Sequence, residues 1–382
     1  MAAMRTPTPD EIRSAIELGD AAVTALLAGQ RTPLVCDSRA TFLFSGPADG
    51  VALQHWVYGL PSRMDLQRVG TSPWWMLTID LPKRSRIEYK LVVRRHGHEE
   101  WLLDPRNDRI AHDPFGGNSV VQMTGYEEPA WSFPRPDGAR GSFESWSLYS
   151  RALHSQREVR IYLPPRYRPN RRHRLLLLHD GDDYVRYSRL ASVLDNLITR
   201  WEVPPLVVGL LNPRDRLTEY AADKRHAAFV VEELLPEIER RYPVISEPAG
   251  RCLGGASFGG VASLATAWYY PNTFDMLLLQ SGSFAFTDIG QHTRGPVFDP
   301  VVRFMNRFRD AMGKPAKRFY VSCGVYESLI YENRSLVPLL QAAGFQVKFE
   351  EARDGHNWEN WRDRLRNGLT WLFPVPAWFY YE

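Results

Sequence analysis

Cysteine, long apolar runs and an excess of charge of either sign are what this 382-residue chain has least of. Each shortage removes a class of protein. The three cysteines, Cys36, Cys252 and Cys323, are odd in number and far apart. They argue against a disulfide framework or a metal cluster and for a reducing compartment. No run approaches the length of a membrane span, and Met1–Asp10 lacks the apolar core of a signal peptide, so a cytoplasmic enzyme is expected. A net charge of +3 is small for this length and gives no ground for a nucleic-acid or membrane partner. There is no internal repeat and no low-complexity tract, and no set of His and Asp at ligand spacing, so neither metal nor cofactor is expected. What the chain does have is length for two domains and an apolar fraction of 44%, enough for sizeable cores.

The most informative stretch is Gly254-Gly255-Ala256-Ser257-Phe258-Gly259-Gly260, a Gly-x-Ser-x-Gly between a short apolar strand and an apolar helix. A serine on so sharp a corner needs neighbours two places away without bulk, and Gly255 and Gly259 meet that need. The helix after it directs its N-terminal amides at the oxyanion position. Alone, such a pattern also arises in ordinary turns. Its weight comes from two residues further along the chain. Glu327 stands just beyond the buried run Arg318–Gly324, and His356 on the loop after the last strand. The order Ser, acid, His is that of the α/β-hydrolases. A serine hydroxyl is a weak nucleophile until an imidazole takes its proton, and that imidazole needs a carboxylate to fix its tautomer. Ser257, His356 and Glu327 are therefore assigned as nucleophile, base and acid. Asp354 and then Glu332 are the rival acids. The oxyanion hole is expected from the backbone N–H of Phe258 and of Asp182 or a neighbour, in the loop His179–Tyr184 after a run of four leucines.

Organisation follows from periodicity. An amphipathic helix begins at Pro9, giving an amino-terminal helical segment over residues 1–30. Short runs at Thr41–Phe44, Val51–Tyr58, Trp74–Leu81, Ile87–Val93 and Trp101–Asp104, a turn over Asp113–Ser119 and a closing strand Val120–Met123 predict an immunoglobulin-like β-sandwich over 31–126. Residues 127–141, rich in Pro, Gly and charge, read as a linker. From 142 to 382 strands and helices alternate, which demands a mostly parallel sheet covered on both faces. The helices expected there include Tyr187–Trp201, Ala227–Arg241, Phe258–Tyr269 and Trp358–Leu372. The fold class is α/β: an α/β-hydrolase preceded by the sandwich.

The Asp113-Pro114-Phe115-Gly116-Gly117-Asn118 segment, the Asp180-Gly181 loop, the elbow, Gly324-x-x-Glu327, Asn333 and Gly355-His356-Asn357-Trp358-x-x-Trp361-Arg362 together resemble the bacterial enterochelin esterases. So does the run Arg216-Leu217-Thr218-Glu219-Tyr220, and the likeness covers nearly the whole chain. It implies an early-set sandwich at the amino terminus and hydrolysis of the ester bonds of a ferric catecholate trilactone siderophore, releasing iron inside the cell. Carried over by position, Ser257 is the nucleophile, His356 the base and Glu327 the acid. Tyr184 stands where a tryptophan is expected and Asn357 where aspartate is usual, and these departures bear on the substrate pocket. The acid segment also resembles that of feruloyl and acetylxylan esterases, which usually act outside the cell.

For a small-molecule ester substrate, Tyr184, Tyr326, Trp358 and Trp361, with the Phe258 ring, are candidates for an aromatic wall. The plainer alternative makes Trp358 and Trp361 core anchors of their helix. Arg216, with Arg214 and Arg362, is a candidate for an anionic ligand, against the alternative of an Arg216–Glu219 ion pair. Two further readings stay open: an acyltransferase on the same fold, and an inert hydrolase domain whose sandwich binds glycan.

Overall fold

The computed structural model describes residues 5–287 and 292–375, so the outer ends of the amino-terminal and carboxy-terminal segments assigned above fall outside the described residues. The chain divides into two compact units. One holds Met1–Glu128 with two short loops from later in the chain, Gly324–Glu327 and Ala352–Asn357; the other holds Pro129–Cys323, Ser328–Glu351 and Trp358–Glu382.

In the first unit the opening helix, Pro9–Leu18, starts at a capping box in which the Glu11 N–H donates to Thr8 Oγ1 and the Thr8 N–H to Glu11 Oε2. The single helix expected here is two. Gly19, at φ 110°, a conformation other residues avoid, ends the first, and Asp20–Leu27 forms the second. Ile12, Ile16 and Val23 bury against Leu34, Leu43, Trp74 and Met76. Those partners belong to a four-stranded sheet ordered Leu34–Cys36, Arg39–Ser45, Trp74–Asp80, Gln67–Arg68. A six-stranded sheet runs Arg63–Asp65, Gly50–His55, Arg86–Arg95, Gly116–Gln122, Ile110–Asp113, with His98–Leu102 also paired to Arg86–Arg95. Ile87, Tyr89, Leu91 and Val93 alternate along Arg86–Arg95 and join Phe42, Phe44 and Trp75 of the other sheet in one apolar cluster. The predicted turn over Asp113–Ser119 is mostly strand: Gly116 pairs with Asp113, leaving Pro114 and Phe115 as a two-residue turn. Its Gly-Gly-Asn composition hides the pairing, because Gly and Asn are poor strand formers. The shortest strands, such as Arg63–Asp65 and Gln67–Arg68, carry too few alternating positions to be seen in the sequence.

The second unit is built on a mixed eight-stranded sheet in the spatial order Ser142–Ser150, Ser155–Leu163, Leu206–Leu211, Arg174–His179, Arg251–Ala256, Met276–Gln280, Arg318–Gly324, Gln346–Ala352. The first two junctions are antiparallel, and the next four are parallel. The leucine run shows why it is buried on both faces. Leu175 and Leu177 enter one apolar cluster, with Phe258, Val261 and Phe304, while Leu176 and Leu178 enter the other, with Tyr184, Leu194 and Leu365.

Three expectations change. Residues 130–133 are not a free linker: Asn196 Nδ2 donates to the carbonyls of Trp131 and Phe133 at 2.8 and 2.7 Å, docking the segment on the helix Leu190–Thr199. The helix expected over Tyr187–Trp201 is Gly181–Tyr187 followed by Leu190–Thr199, interrupted where Arg189 takes φ 52°. The helix expected over Ala227–Arg241 starts at Lys224 and widens to π geometry over Phe229–Leu234, just before Pro236, which has no N–H to continue a regular ladder. The helices Phe258–Tyr269 and Trp358–Leu372 lie where periodicity put them.

Candidate active site

Ser257 sits between the strand Arg251–Ala256 and the helix Phe258–Tyr269 with φ 56° and ψ −122°, an unfavourable conformation for a non-glycine residue. Its glycine neighbours are needed for space. A Cβ on Gly255 would lie 2.7 Å from the Gly259 backbone carbon, and one on Gly259 would lie 3.1 Å from His179 Cβ. The turn is pinned from the next strand's loop: the Ser257 N–H donates to Gln280 O at 3.0 Å, and the Ser283 N–H donates to Ser257 O at 3.1 Å. The Ser283 hydroxyl, buried, shares a hydrogen bond with Ser257 Oγ at 3.2 Å. Sequence reasoning passed over Ser283. The only signal was a Ser-Gly-Ser at the end of a buried strand, which is common in loops.

Glu327 and His356 form a direct pair. His356 Nδ1 lies 2.7 Å from Glu327 Oε2, and the Gly324 N–H donates to Glu327 Oε1 at 2.7 Å. An acceptor at Nδ1 puts the proton there and leaves Nε2 as the basic nitrogen. The Glu327 side chain is fully buried while that of His356 is 38% exposed, so the pair has an anchored end and an open end. The two rival acids are committed elsewhere. Asp354 Oδ1 accepts from Arg86 Nη1, Asn357 Nδ2 and the Gly355 N–H at 3.3, 2.8 and 2.7 Å. Glu332 Oε1 accepts from Arg294 Nε at 2.9 Å.

Behind the elbow lies a buried polar network. His179 Nδ1 is 3.1 Å from Gly254 O and 3.0 Å from Ser263 Oγ, and its Nε2 meets His226 Nε2 at 3.0 Å. Burial, with the neighbouring His226, pushes the His179 pKa well down, so this imidazole is neutral. Arg216 does not pair with Glu219. Its Nε and Nη2 clasp Asp180 at 3.0 and 2.7 Å, and Nη2 reaches Ala256 O at 3.4 Å. Burial opposes that charge, but Asp180 outweighs it and raises the Arg216 pKa. Glu219 instead meets Arg157 Nη2 at 2.6 Å and lies 3.7 Å from His226 Nδ1. Burial works against its charge, yet the nearby His226 and the hydrogen bond from Arg157 bring its pKa down to about 2.

The aromatic wall is mostly corrected. Tyr184 is fully buried, its hydroxyl donating to Gln280 Oε1 at 2.8 Å, and so is out of reach of a ligand. Trp358 and Trp361 stack edge to face at 4.7 Å inside the same apolar cluster, and Trp361 Nε1 donates to Ser281 Oγ at 2.9 Å. Their spacing of three on a helix buries them as core anchors. The Phe258 ring is buried against Phe298. Arg362 is buried and donates to Asp363 Oδ1 at 2.8 Å, which removes it as an anion ligand, while Arg214 is exposed. Tyr326 remains half-buried, with its hydroxyl 2.5 Å from Ser85 Oγ. The Asp182 N–H, expected at the oxyanion, donates to Asn212 Oδ1 at 3.1 Å. Among the described residues no group of three or more His, Cys, Asp and Glu could hold a metal. No helix among them is long and apolar enough to cross a membrane.

Residues 150–372 match the family model Esterase ("Putative esterase"). The chain belongs to the esterase family. It is a carboxylic ester hydrolase. An iron(III) enterobactin esterase from Dickeya dadantii is 26% identical over 249 residues, which are 62% of this chain and 56% of that protein. The chain thus aligns with little more than half the length of that relative. The crystal structure of the enterobactin esterase FES from Shigella flexneri in the presence of enterobactin superposes with a TM-score of 0.71 at 20% identity, over 87% of this chain and 92% of the other. A ferulic acid esterase superposes with a TM-score of 0.54 at 19% identity, over 61% of this chain and 98% of its own. The esterase therefore has the mixed-sheet fold of the enterobactin esterases.

Proposed function

We propose that this esterase is a serine hydrolase of α/β-hydrolase architecture with an immunoglobulin-like amino-terminal sandwich, acting through Ser257, His356 and Glu327 on the trilactone of a ferric catecholate siderophore in the cytoplasm. The observation that carries the mechanism is the 2.7 Å pair between His356 Nδ1 and buried Glu327, with Ser257 presented on a glycine-flanked turn. In acylation the Ser257 oxygen attacks the ester carbonyl carbon while His356 Nε2 takes its proton. The C–O bond then breaks, and the leaving alkoxide takes that proton from the imidazolium. Water, deprotonated by His356, attacks the acyl-serine, and the proton returns to Ser257 as the acid leaves. Glu327 stabilises the imidazolium in both steps. The Phe258 N–H opens a helix and supplies one oxyanion donor. The second comes from the segment 181–183, where the Asp182 N–H would have to leave Asn212.

The siderophore reading is supported by the reach of the likeness. Against the enterobactin esterase it takes in 87% of this chain, more than either unit alone, and against the ferulic acid esterase 61%. Arg216, with its side chain 35% exposed and bonded to the carbonyl before Ser257, lies beside the elbow with its charge countered by Asp180. The test is to incubate the enzyme with iron-loaded enterobactin, iron-free enterobactin and methyl ferulate. Release of dihydroxybenzoylserine from the iron-loaded ester is the expected result. Cleavage of ferulate without that release would sink the siderophore assignment and favour the feruloyl reading.

A further inference from the structure

Arg86 opens the strand Arg86–Arg95 and is only 2% exposed, although its guanidinium is always charged. It donates to Asp354 Oδ1 at 3.3 Å, to Asn357 Oδ1 at 3.1 Å and to Glu88 Oε1 at 3.0 Å. Asp354 and Asn357 stand on either side of His356 in the sequence, so one buried side chain grips the histidine loop at both flanks. The backbone adds to the grip. The Arg86 N–H donates to Arg353 O at 2.9 Å, and Arg353 Nη1 donates to Lys83 O at 2.7 Å. The same corner holds the acid loop. Ser85 Oγ meets the Tyr326 hydroxyl at 2.5 Å, the Tyr58 N–H donates to Tyr326 O at 2.8 Å, and Tyr326 immediately precedes Glu327. The two loops are also tied together, the Val325 N–H donating to Ala352 O at 2.7 Å and the Tyr326 N–H to Asp354 O at 3.2 Å.

A buried ion cluster is a poor way to gain stability, because desolvating its charges costs about as much as their attraction returns. Its strength is direction: an arginine fork fixes where its partners lie. Glu88 is fixed in turn by Asn118 Nδ2, which donates to its Oε2 at 2.9 Å. Through these ties Gly324–Glu327 and Ala352–Asn357 belong to the amino-terminal unit, although far from it in sequence.

We propose that Arg86 is a positioning residue for His356, and that the amino-terminal unit is thereby an integral part of the catalytic machinery. The proposal rests on the triad reading above. By holding Asp354 and Asn357, Arg86 sets the imidazole at its 2.7 Å distance from Glu327 before substrate arrives.

The test measures p-nitrophenyl acetate hydrolysis by the full chain carrying Arg86→Lys or Asn357→Ala, each alone and combined with Glu327→Gln. Lysine keeps the charge and loses the fork. Arg86→Lys is expected to lower kcat at least tenfold with KM changed less than twofold, and Asn357→Ala to lower kcat severalfold. In the Glu327→Gln background either substitution is expected to cost less than twofold, because the pair it positions is already gone. An unchanged kcat in both single variants, or the same fold loss in both backgrounds, would overturn the proposal. Should Arg86→Lys fail to fold, Asn357→Ala in the two backgrounds decides on the same criteria. Activity untouched by Ser257→Ala or by Glu327→Gln alone would remove the triad reading, and the proposal with it.

Discussion

The serine turn and the histidine loop, proposed to carry the same reaction, are held in different ways. Ser257 is fixed by its own neighbourhood: the strand before it, the helix after it, Gly255 and Gly259 two places away, and a carbonyl and an N–H from the adjacent strand's loop. The His356 loop is braced by its own neighbours, Asp354 bonding Gly355 and Asn357, and also from far along the chain. His356 lies beyond the end of an edge strand, is partly exposed, and takes its orientation from Glu327, while its loop is tied through Asp354 to Arg86, 268 residues earlier in the chain. A nucleophile that must adopt a strained backbone needs tight local packing, whereas a base that shuttles protons needs a fixed direction and an open face. Substitutions near Ser257 should therefore act through fold and strain, and those around His356 through orientation.

The largest expected effects fall on the proposed triad. Ser257→Ala should lower kcat by roughly a million-fold, the scale seen when a triad nucleophile is removed, with the melting temperature little changed. Stopped p-nitrophenyl acetate turnover with a native circular dichroism spectrum would agree; retained turnover would move the chemistry elsewhere. Glu327→Gln keeps shape but not charge, and should cost on the order of ten thousand-fold in kcat, as for other triad acids. The steady-state rate checks it, and a loss below tenfold would leave a Ser–His dyad.

Changes at the elbow's scaffold come next and should appear in stability first. Gly255→Ala brings a methyl to 2.7 Å from the Gly259 backbone, which cannot yield cheaply. We expect a loss of about 3 kcal/mol by chemical denaturation. Equal stability with reduced kcat would mean that the elbow, like the histidine loop, is limited by orientation.

The smallest effect concerns pH and the network behind the elbow. The folded pKa of Glu219 is depressed to about 2, below the ordinary glutamate value of 4.5. Its contribution is therefore fully present above pH 4.5 and is lost as pH falls toward 2. Denaturation midpoints should decline across that window, and Glu219→Gln should flatten the decline while lowering stability at neutral pH. An identical slope in the two proteins would show that other carboxylates dominate.

What the sequence makes legible divides along the same line. The leucines 175–178 announce a strand buried on both faces, Gly-x-Ser-x-Gly announces the elbow, and the helices Phe258–Tyr269 and Trp358–Leu372 are plain from periodicity, because each rests on residues close in the chain. Arg216 shows the limit. Glu219, three residues on, is the partner that spacing suggests, but Asp180, 36 residues earlier, takes the guanidinium because the fold sets them side by side. Ser283 beside Ser257 and Arg86 beside Asp354 are hidden for the same reason. Trp358 and Trp361 misled in the other direction, since aromatic residues near a candidate base are as well suited to filling a core as to lining a pocket.

In the proposed mechanism an imidazole held in part from a distance activates a serine held locally. Labelling with a fluorophosphonate, followed by peptide mass spectrometry, is the sharpest check. A single adduct is expected on the peptide containing Ser257, forming at least a hundredfold more slowly in His356→Ala. An adduct elsewhere, or an equal rate without His356, would contradict that mechanism.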